Sequence, residues 1–140
     1  MRLTLVNQFY APDISPTAQL AASLAEHRAD LGDQVTIVTG RAGYLEGLAT
    51  TGAVRTAPGL RIRRVWTPEL GKSSRPRRLL GYATFGAGSV LRLLTLPRQD
   101  VVVSMTTPPF VVVAAVLHRL VHRRTRVVLW SMDCYPDAAE

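Results

Sequence analysis

Cysteine is almost missing from this chain. Cys134 stands alone, so no internal disulfide can form, and the start Met1-Arg2-Leu3-Thr4 lacks the pattern of a secretory signal. A reducing, cytoplasmic setting is therefore expected. Long hydrophobic runs are missing as well: residues 79–91 are too short for a bilayer core before Arg92 interrupts them, and residues 101–117 are broken by Pro108-Pro109. Neither stretch is expected to span a membrane, although the protein can rest on one. Acidic residues are scarce, 10 against 17 basic ones, of which all but Lys72 are arginine. The resulting charge of +7 is concentrated in residues 60–98, where nine bases face only Glu69. That patch suits nucleic acid, anionic lipid or a phosphorylated ligand, or is simply a solvated arginine-rich surface. With no stacking aromatics interleaved among the arginines, nucleic acid is disfavoured.

What is present suffices for one domain. The 140 residues are 47% hydrophobic, enough for a buried core and too few for two ordinary domains. Residues 3–6 form a short apolar run ending in Asn7-Gln8, the pattern of a parallel strand buried on both faces. Ser15 and Pro16 suit the N-cap and first position of a helix. Its expected apolar stripe comprises Leu20, Leu24 and Leu31 with Ala21 and Ala25, and Gly32 ends it. Residues 35–39 repeat the strand pattern and complete a βαβ unit. Further strands are expected at 60–66, 101–105 and 127–130, with helices over 76–96 and from after Pro108-Pro109 to about Arg123. Five strands alternating with crossovers make an α/β, Rossmann-like doubly wound sheet of order 3-2-1-4-5 the expected fold. Residues 40–59, with five glycines and no clear period, are expected to form a binding loop. Pro136-Asp137-Ala138-Ala139-Glu140 has the pattern of a capping box opening a helix, which suggests a domain cut from a larger protein.

In such sheets, ligands sit outside the carboxyl ends of the strands where strand order reverses. The candidate loops are residues 7–17 and 106–110, with 40–44 and 133–137 beside them. The first leads into a helix N-terminus at which Ser15, Thr17 and Ala18 would surround a phosphate, or simply cap a helix. It contains no glycine, so both the dinucleotide fingerprint and the nucleotide phosphate loop are absent and a nicotinamide-dependent enzyme is disfavoured. Asp133 is the candidate catalytic carboxylate, able to accept a sugar hydroxyl or assist proton movement; capping the next turn or pairing with an arginine is its structural alternative. Asp13 is a weaker candidate because Pro12-Asp13 is also ordinary turn chemistry. His118 and His122 have metal-ligand spacing, yet lack a third ligand and lie beside Arg119, Arg123 and Arg124, so a solvated basic face is expected and no metal. Arg75, Arg77 and Arg78, followed by Leu79, Leu80, Tyr82, Phe85, Val90 and Leu91, have the makeup of a segment touching an anionic membrane.

Four segments, in order, resemble a known family: Val6-Asn7-Gln8-Phe9-Tyr10-Ala11-Pro12-Asp13, Val35-Thr36-Ile37-Val38-Thr39-Gly40, Thr106-Thr107-Pro108-Pro109-Phe110, and Leu129-Trp130-Ser131-Met132-Asp133-Cys134-Tyr135-Pro136. Together they are similar to the N-terminal domain of family four glycosyltransferases, near the branch that builds bacterial surface polysaccharides. The resemblance implies half of a two-domain GT-B architecture. It also implies retaining transfer, without metal or cofactor, from a nucleotide-diphosphate sugar to a glycan or lipid-linked acceptor. On that resemblance Ser15, Thr17 and Ala18 approach the donor diphosphate, and Asp13, Gly40, Tyr44, Thr106 and Thr107 approach the acceptor. Two departures stand out. Ser15-Pro16 occupies the place of paired glycines in many relatives, and proline has no N–H to offer a phosphate. The C-terminal donor-binding half is also missing, so the chain alone is expected to be inactive. The rival expectation is a non-catalytic binding module, or a gene remnant, with a basic patch for an anionic ligand or a membrane surface.

Overall fold

The computed structural model describes residues 1–41, 57–68 and 75–132. The elements run β1 (Arg2–Val6), α1 (Pro16–Asp30), β2 (Gln34–Gly40), β3 (Leu60–Val65), α2 (Arg75–Leu94), β4 (Val101–Met105), α3 (Val112–Val121) and β5 (Arg126–Trp130). All five strands are parallel, in the order β3-β2-β1-β4-β5. This is an α/β, Rossmann-like arrangement.

Burial explains why the three central strands are mostly apolar, interrupted between their ends by Thr4, Thr36, Thr39 and Ser104. Leu3, Leu5, Val35, Ile37, Val103 and Met105 enter the core on one face of the sheet, beneath α1. Val6, Val38 and Val102 enter the core on the other, with Phe85 and Leu93 of α2 and Ala114 and Ala115 of α3. A strand covered on both sides has no face toward water, so its few polar side chains bond internally, as Thr4 Oγ1 does by donating to Gln99 Oε1 at 3.1 Å. The edge strand β3 alternates instead, with Arg61 and Arg63 exposed and Val65 buried.

Ser15 caps α1 by accepting the Ala18 N–H at 3.3 Å, Pro16 takes the first turn, and Gly32 leaves the helix at φ +85°. The left-handed conformation at that point is why glycine stands there. The buried stripe of α1 holds the expected Ala21 and Ala25, with Leu24 packed against the core, but it continues through Ala18 and Ala29, whereas Leu20 and Leu31 are exposed. Small side chains let the helix axis approach the sheet closely, and Leu20 and Leu31 fall outside the stripe. Helix α2 approaches its sheet face in a similar way at Gly88, where an added Cβ would run into Val65 Cγ1.

Three other expectations are revised. Helix α3 begins at Val112 and ends at Val121, because residues after the Pro108-Pro109 turn lead in through Phe110, at φ +70°. Phe85, expected at a membrane face, is fully buried in the core. His118, expected on a solvated basic face, is also fully buried; its Nδ1–H donates to Leu93 O of α2 at 2.8 Å. Burial, and then the neighbouring His122, lower its pKa below the usual histidine value, against the raising effect of the Leu93 hydrogen bond.

At the amino edge of the sheet, the N-terminal amine and Arg28 both pair with Asp33. The amine's hydrogen bond is the main cause that holds the Asp33 carboxyl below its ordinary range. No helix among the described residues is long and apolar enough to cross a membrane.

Candidate functional site

Strand order reverses between β1 and β4, because the chain leaves β1 toward β2 on one side and reaches β4 on the other. In open parallel sheets the loops leaving two such strands diverge at the carboxyl edge, which makes this the place for a ligand crevice. Gln8 sits at its base. Its N–H donates to Thr107 O at 3.0 Å, and its carbonyl accepts from Gly40 N–H at 2.9 Å and from Thr39 Oγ1 at 3.1 Å. One residue thus joins the exits of β1, β2 and β4. Asn7 precedes it, fully buried, with its N–H on Val38 O and its Nδ2 donating to Phe9 O at 2.7 Å.

The side-chain amide oxygens of both residues are left over. Asn7 Oδ1 and Gln8 Oε1 are buried, and among the described residues neither has a hydrogen-bond partner. A buried acceptor without a donor costs about 1–3 kcal/mol, so the two adjacent oxygens call for donors from beyond the described residues, either a ligand or another segment of the chain. Hydroxyl groups have that chemistry.

Around this base, Asp13 is buried and closes the loop after β1, with Oδ1 accepting the Ser15 N–H at 3.1 Å. Gly40 is the last residue of β2 rather than the start of a loop. A Cβ there would lie 3.0 Å from Gln8 O and 3.4 Å from Thr67 Oγ1, so close packing against the base accounts for glycine. Its carbonyl accepts from Arg64 Nη1 at 3.2 Å, while Arg64 Nη2 reaches Ala11 O at 2.8 Å. Arg64, on edge strand β3, thereby ties the loop after β1 to β2. Burial is the main reason that the Tyr10 hydroxyl, beside this loop, is pushed up to about 12; Glu26 adds to the rise and Arg64 opposes it. Tyr10 stays protonated at neutral pH.

On the β4 side, Thr107 supplies the carbonyl held by Gln8, and Thr106 Oγ1 accepts the Met132 N–H at 3.3 Å, linking the exits of β4 and β5. Phe110 is 84% exposed and has a left-handed backbone, an uncommon state for a bulky residue that is often retained at binding loops. The peptide bonds Ala11-Pro12 and Thr107-Pro108 are both cis.

At the N-terminus of α1, Pro16 has no N–H, Ala18 N–H is taken by Ser15 Oγ, and Gln19 N–H by Ser15 O at 3.0 Å. That leaves the half-buried Thr17 as the residue of the first turn able to offer an amide to an anion. Asp133 and Tyr44 lie outside the described residues. Arg75, Arg77 and Arg78 are exposed in the first turn of α2. Among the described residues, no group of three or more His, Cys, Asp or Glu side chains could hold a metal ion.

Sequence reasoning singled out Asp13, Gly40, Thr106 and Thr107; Asp13, Thr106 and Thr107 lie in the loops after β1 and β4, and Gly40 at the end of β2 beside them. It missed Asn7, Gln8 and Arg64 as site residues. A signal for the first two was visible: polar amides directly following an apolar strand. Arg64 had none, because its contacts span 24 and 53 residues of chain. No known protein family and no curated protein matches the chain.

Proposed function

We propose that this chain is the acceptor-side domain of a retaining glycosyltransferase of GT-B architecture, cytoplasmic and acting in polysaccharide biosynthesis. In this reading a second, donor-binding domain holds most of a nucleotide-diphosphate sugar, and the crevice between the β1 and β4 exits receives the glycan or lipid-linked acceptor. The observation that carries the proposal is the pair of buried, unpartnered amide oxygens on Asn7 and Gln8. Sugar hydroxyls are donors that can satisfy both, and the resulting bonds would be strengthened by their low-dielectric setting. Phe110 adds an exposed aromatic face of the kind on which the apolar side of a sugar ring packs.

The donor diphosphate is assigned a smaller contact with this domain. With Pro16 lacking an N–H and Ala18 engaged by Ser15, the proposed contacts are Thr17 N–H and the Thr17 hydroxyl. Asp133 is the proposed carboxylate for the acceptor hydroxyl, and Tyr44 a proposed acceptor contact, with no metal or cofactor required.

Saturation-transfer NMR of the chain with oligosaccharides, free nucleotides and nucleotide-diphosphate sugars tests the reading. Oligosaccharide ring protons should receive saturation from wild type, and the signal should fall at least fivefold in Gln8→Met, which keeps the length and removes the acceptor. Saturation of nucleotides but not sugars, or an unchanged signal in Gln8→Met with the fold intact by amide spectra, would overturn it.

A further inference from the structure

The amino edge of the sheet, at the opposite end of the strands from the crevice, holds a pocket of its own. Its volume is about 430 Å³, and it is lined by Met1, Arg2, Gly32, Gln34, Arg98 and Asp100. These residues come from three separate stretches of chain that backbone N–H groups fasten together. Gln34 N–H donates to Met1 O at 2.9 Å, Asp100 N–H to Arg2 O at 2.9 Å, and Arg2 N–H returns to Asp100 Oδ2 at 2.7 Å. The walls are thus set where β1, β2 and β4 begin. Gly32, in the turn that enters β2, borders open space: an added Cβ there would meet nothing within 4 Å.

Two guanidinium groups stand against one carboxylate in this lining. Asp100 is engaged on both oxygens, because Oδ2 holds the Arg2 N–H and Oδ1 accepts from Arg98 Nη2 at 3.4 Å. The Met1 amine is paired with Asp33, which also takes Arg28. The Arg2 guanidinium, by contrast, has no partner among the described residues, and Arg98 keeps its remaining N–H groups. Parallel register sets Arg2 beside Gln34, so both side chains leave the sheet on the same face and the amide lies next to the uncommitted guanidinium. Arginines near helix carboxyl ends ordinarily serve the last carbonyls. Arg98 reaches Asp100 instead, and Arg2 opens a strand, so that local role accounts for neither.

We propose that this amino-edge pocket binds a small soluble molecule bearing a phosphate, with Arg2 and Arg98 on the phosphoryl oxygens and the Gln34 amide on a neighbouring hydroxyl. A planar guanidinium grips phosphate through paired N–H bonds, and both cations of the lining with N–H groups to spare are arginines. Asp100 holds Arg98 by one nitrogen and leaves the others for the ligand. The volume falls within the range of small-molecule sites and exceeds the needs of a bare ion. Only Arg98 belongs to the basic stretch 60–98; the rest of the site is assembled from the starts of other strands, so no local pattern in the sequence announces it. At a strand rise of about 3.3 Å per residue, Arg2 lies about 20 Å from Gln8. The pocket shares no residue with the crevice, and it stands whether or not the glycosyltransferase reading does.

Amide NMR of the chain titrated at constant ionic strength with glycerol phosphate, and with glycerol as the uncharged control, is the test. Saturable shifts at Arg2, Gly32, Gln34 and Asp100 are expected with glycerol phosphate and none with glycerol. Arg2→Gln and Arg98→Gln, both at exposed positions that leave the core intact, should each raise the half-saturation concentration about fivefold or more. Arg119→Gln removes the same charge from an exposed position of α3 outside the pocket and should leave it unchanged. Equal weakening by all three variants would mean attraction to net charge alone and would overturn the proposal, as would shifts without saturation or shifts confined to Thr17 and the crevice. Shifts at the pocket amides with phosphatidylglycerol bicelles but not with glycerol phosphate would place the phosphate on a lipid and overturn the assignment of a soluble ligand.

Discussion

Replacing His118 by leucine probes the one buried imidazole at the α2–α3 contact, and the structure sets both the sign and the size of the effect. Because a carbonyl only accepts, Nδ1 carries the proton that binds Leu93 O, and Nε2 is a buried acceptor without a partner among the described residues. Leucine removes a hydrogen bond worth about 0.5–1.5 kcal/mol net and relieves an unmet polar atom costing about 1–3 kcal/mol. Leu93 O is not orphaned by the change, since it also accepts the Leu96 N–H at 3.1 Å. At about pH 8 the variant should thus be equal to wild type or more stable by up to ~2 kcal/mol. Acidification separates the two further. The fold lowers the His118 pKa, so below the ordinary histidine value of 6.5 the unfolded chain binds a proton that the folded chain resists. Wild-type stability is then lost as pH falls from 6.5 toward the folded pKa, by about 1.4 kcal/mol for each unit of depression, and levels off beneath it. Urea unfolding at several values between about pH 8 and pH 5 reads this directly, with His122→Gln as the companion that should keep most of the slope. A leucine variant at least 2 kcal/mol weaker at the upper pH that retains the wild-type slope would refute the reasoning.

Two further outcomes follow from packing and from the crevice. Gly88→Ala should destabilise by about 1–3 kcal/mol because its Cβ meets Val65, whereas Gly86→Ala, with open space around it, should stabilise by about 0.5–1 kcal/mol through helix propensity; equal signs in urea unfolding would contradict this. Arg64→Met removes both ties from β3 to the loop after β1, so hydrogen exchange at Asp13 N–H should accelerate at least tenfold while global stability falls by only about 1–2 kcal/mol. Unchanged exchange there would mean that the loop is held by other contacts.

Much of the fold is legible because parallel strands buried on both faces are apolar at most positions. Residues 3–6, 35–39 and 101–105 announce themselves, and Ser15-Pro16 and Gly32 mark the ends of α1 through capping chemistry that is local in sequence. Helix faces are less legible. Hydrophobicity picks out Ala21 and Ala25 correctly, and Leu24 packs against the core, but it also favours Leu20 and Leu31, which are exposed, over the buried Ala18 and Ala29. Only the close approach of α1 to the sheet selects alanine. His118 and His122 pose the same difficulty: their spacing places them on one side of α3 without saying which way that side points. At the crevice, loop positions follow from strand order, but the hydrogen bonds of Gln8 and Arg64 join segments distant in the chain, and no local pattern encodes them.

The position of Gln8 has a mechanical consequence. Its backbone is bonded to the β4 exit through Thr107 and to the β2 exit through Gly40 and Thr39, while Arg64 fastens the β1 loop to β2 from outside. Three connections that in many open sheets move separately are here riveted at one point. Shifting any of them by more than a fraction of an ångström must break a buried hydrogen bond or drag the other two along. The floor of the crevice therefore behaves as a stiff plate, and adaptation to ligands of different size is left to side chains on its rim, Phe110 among them, whose backbone lies beyond the last rivet.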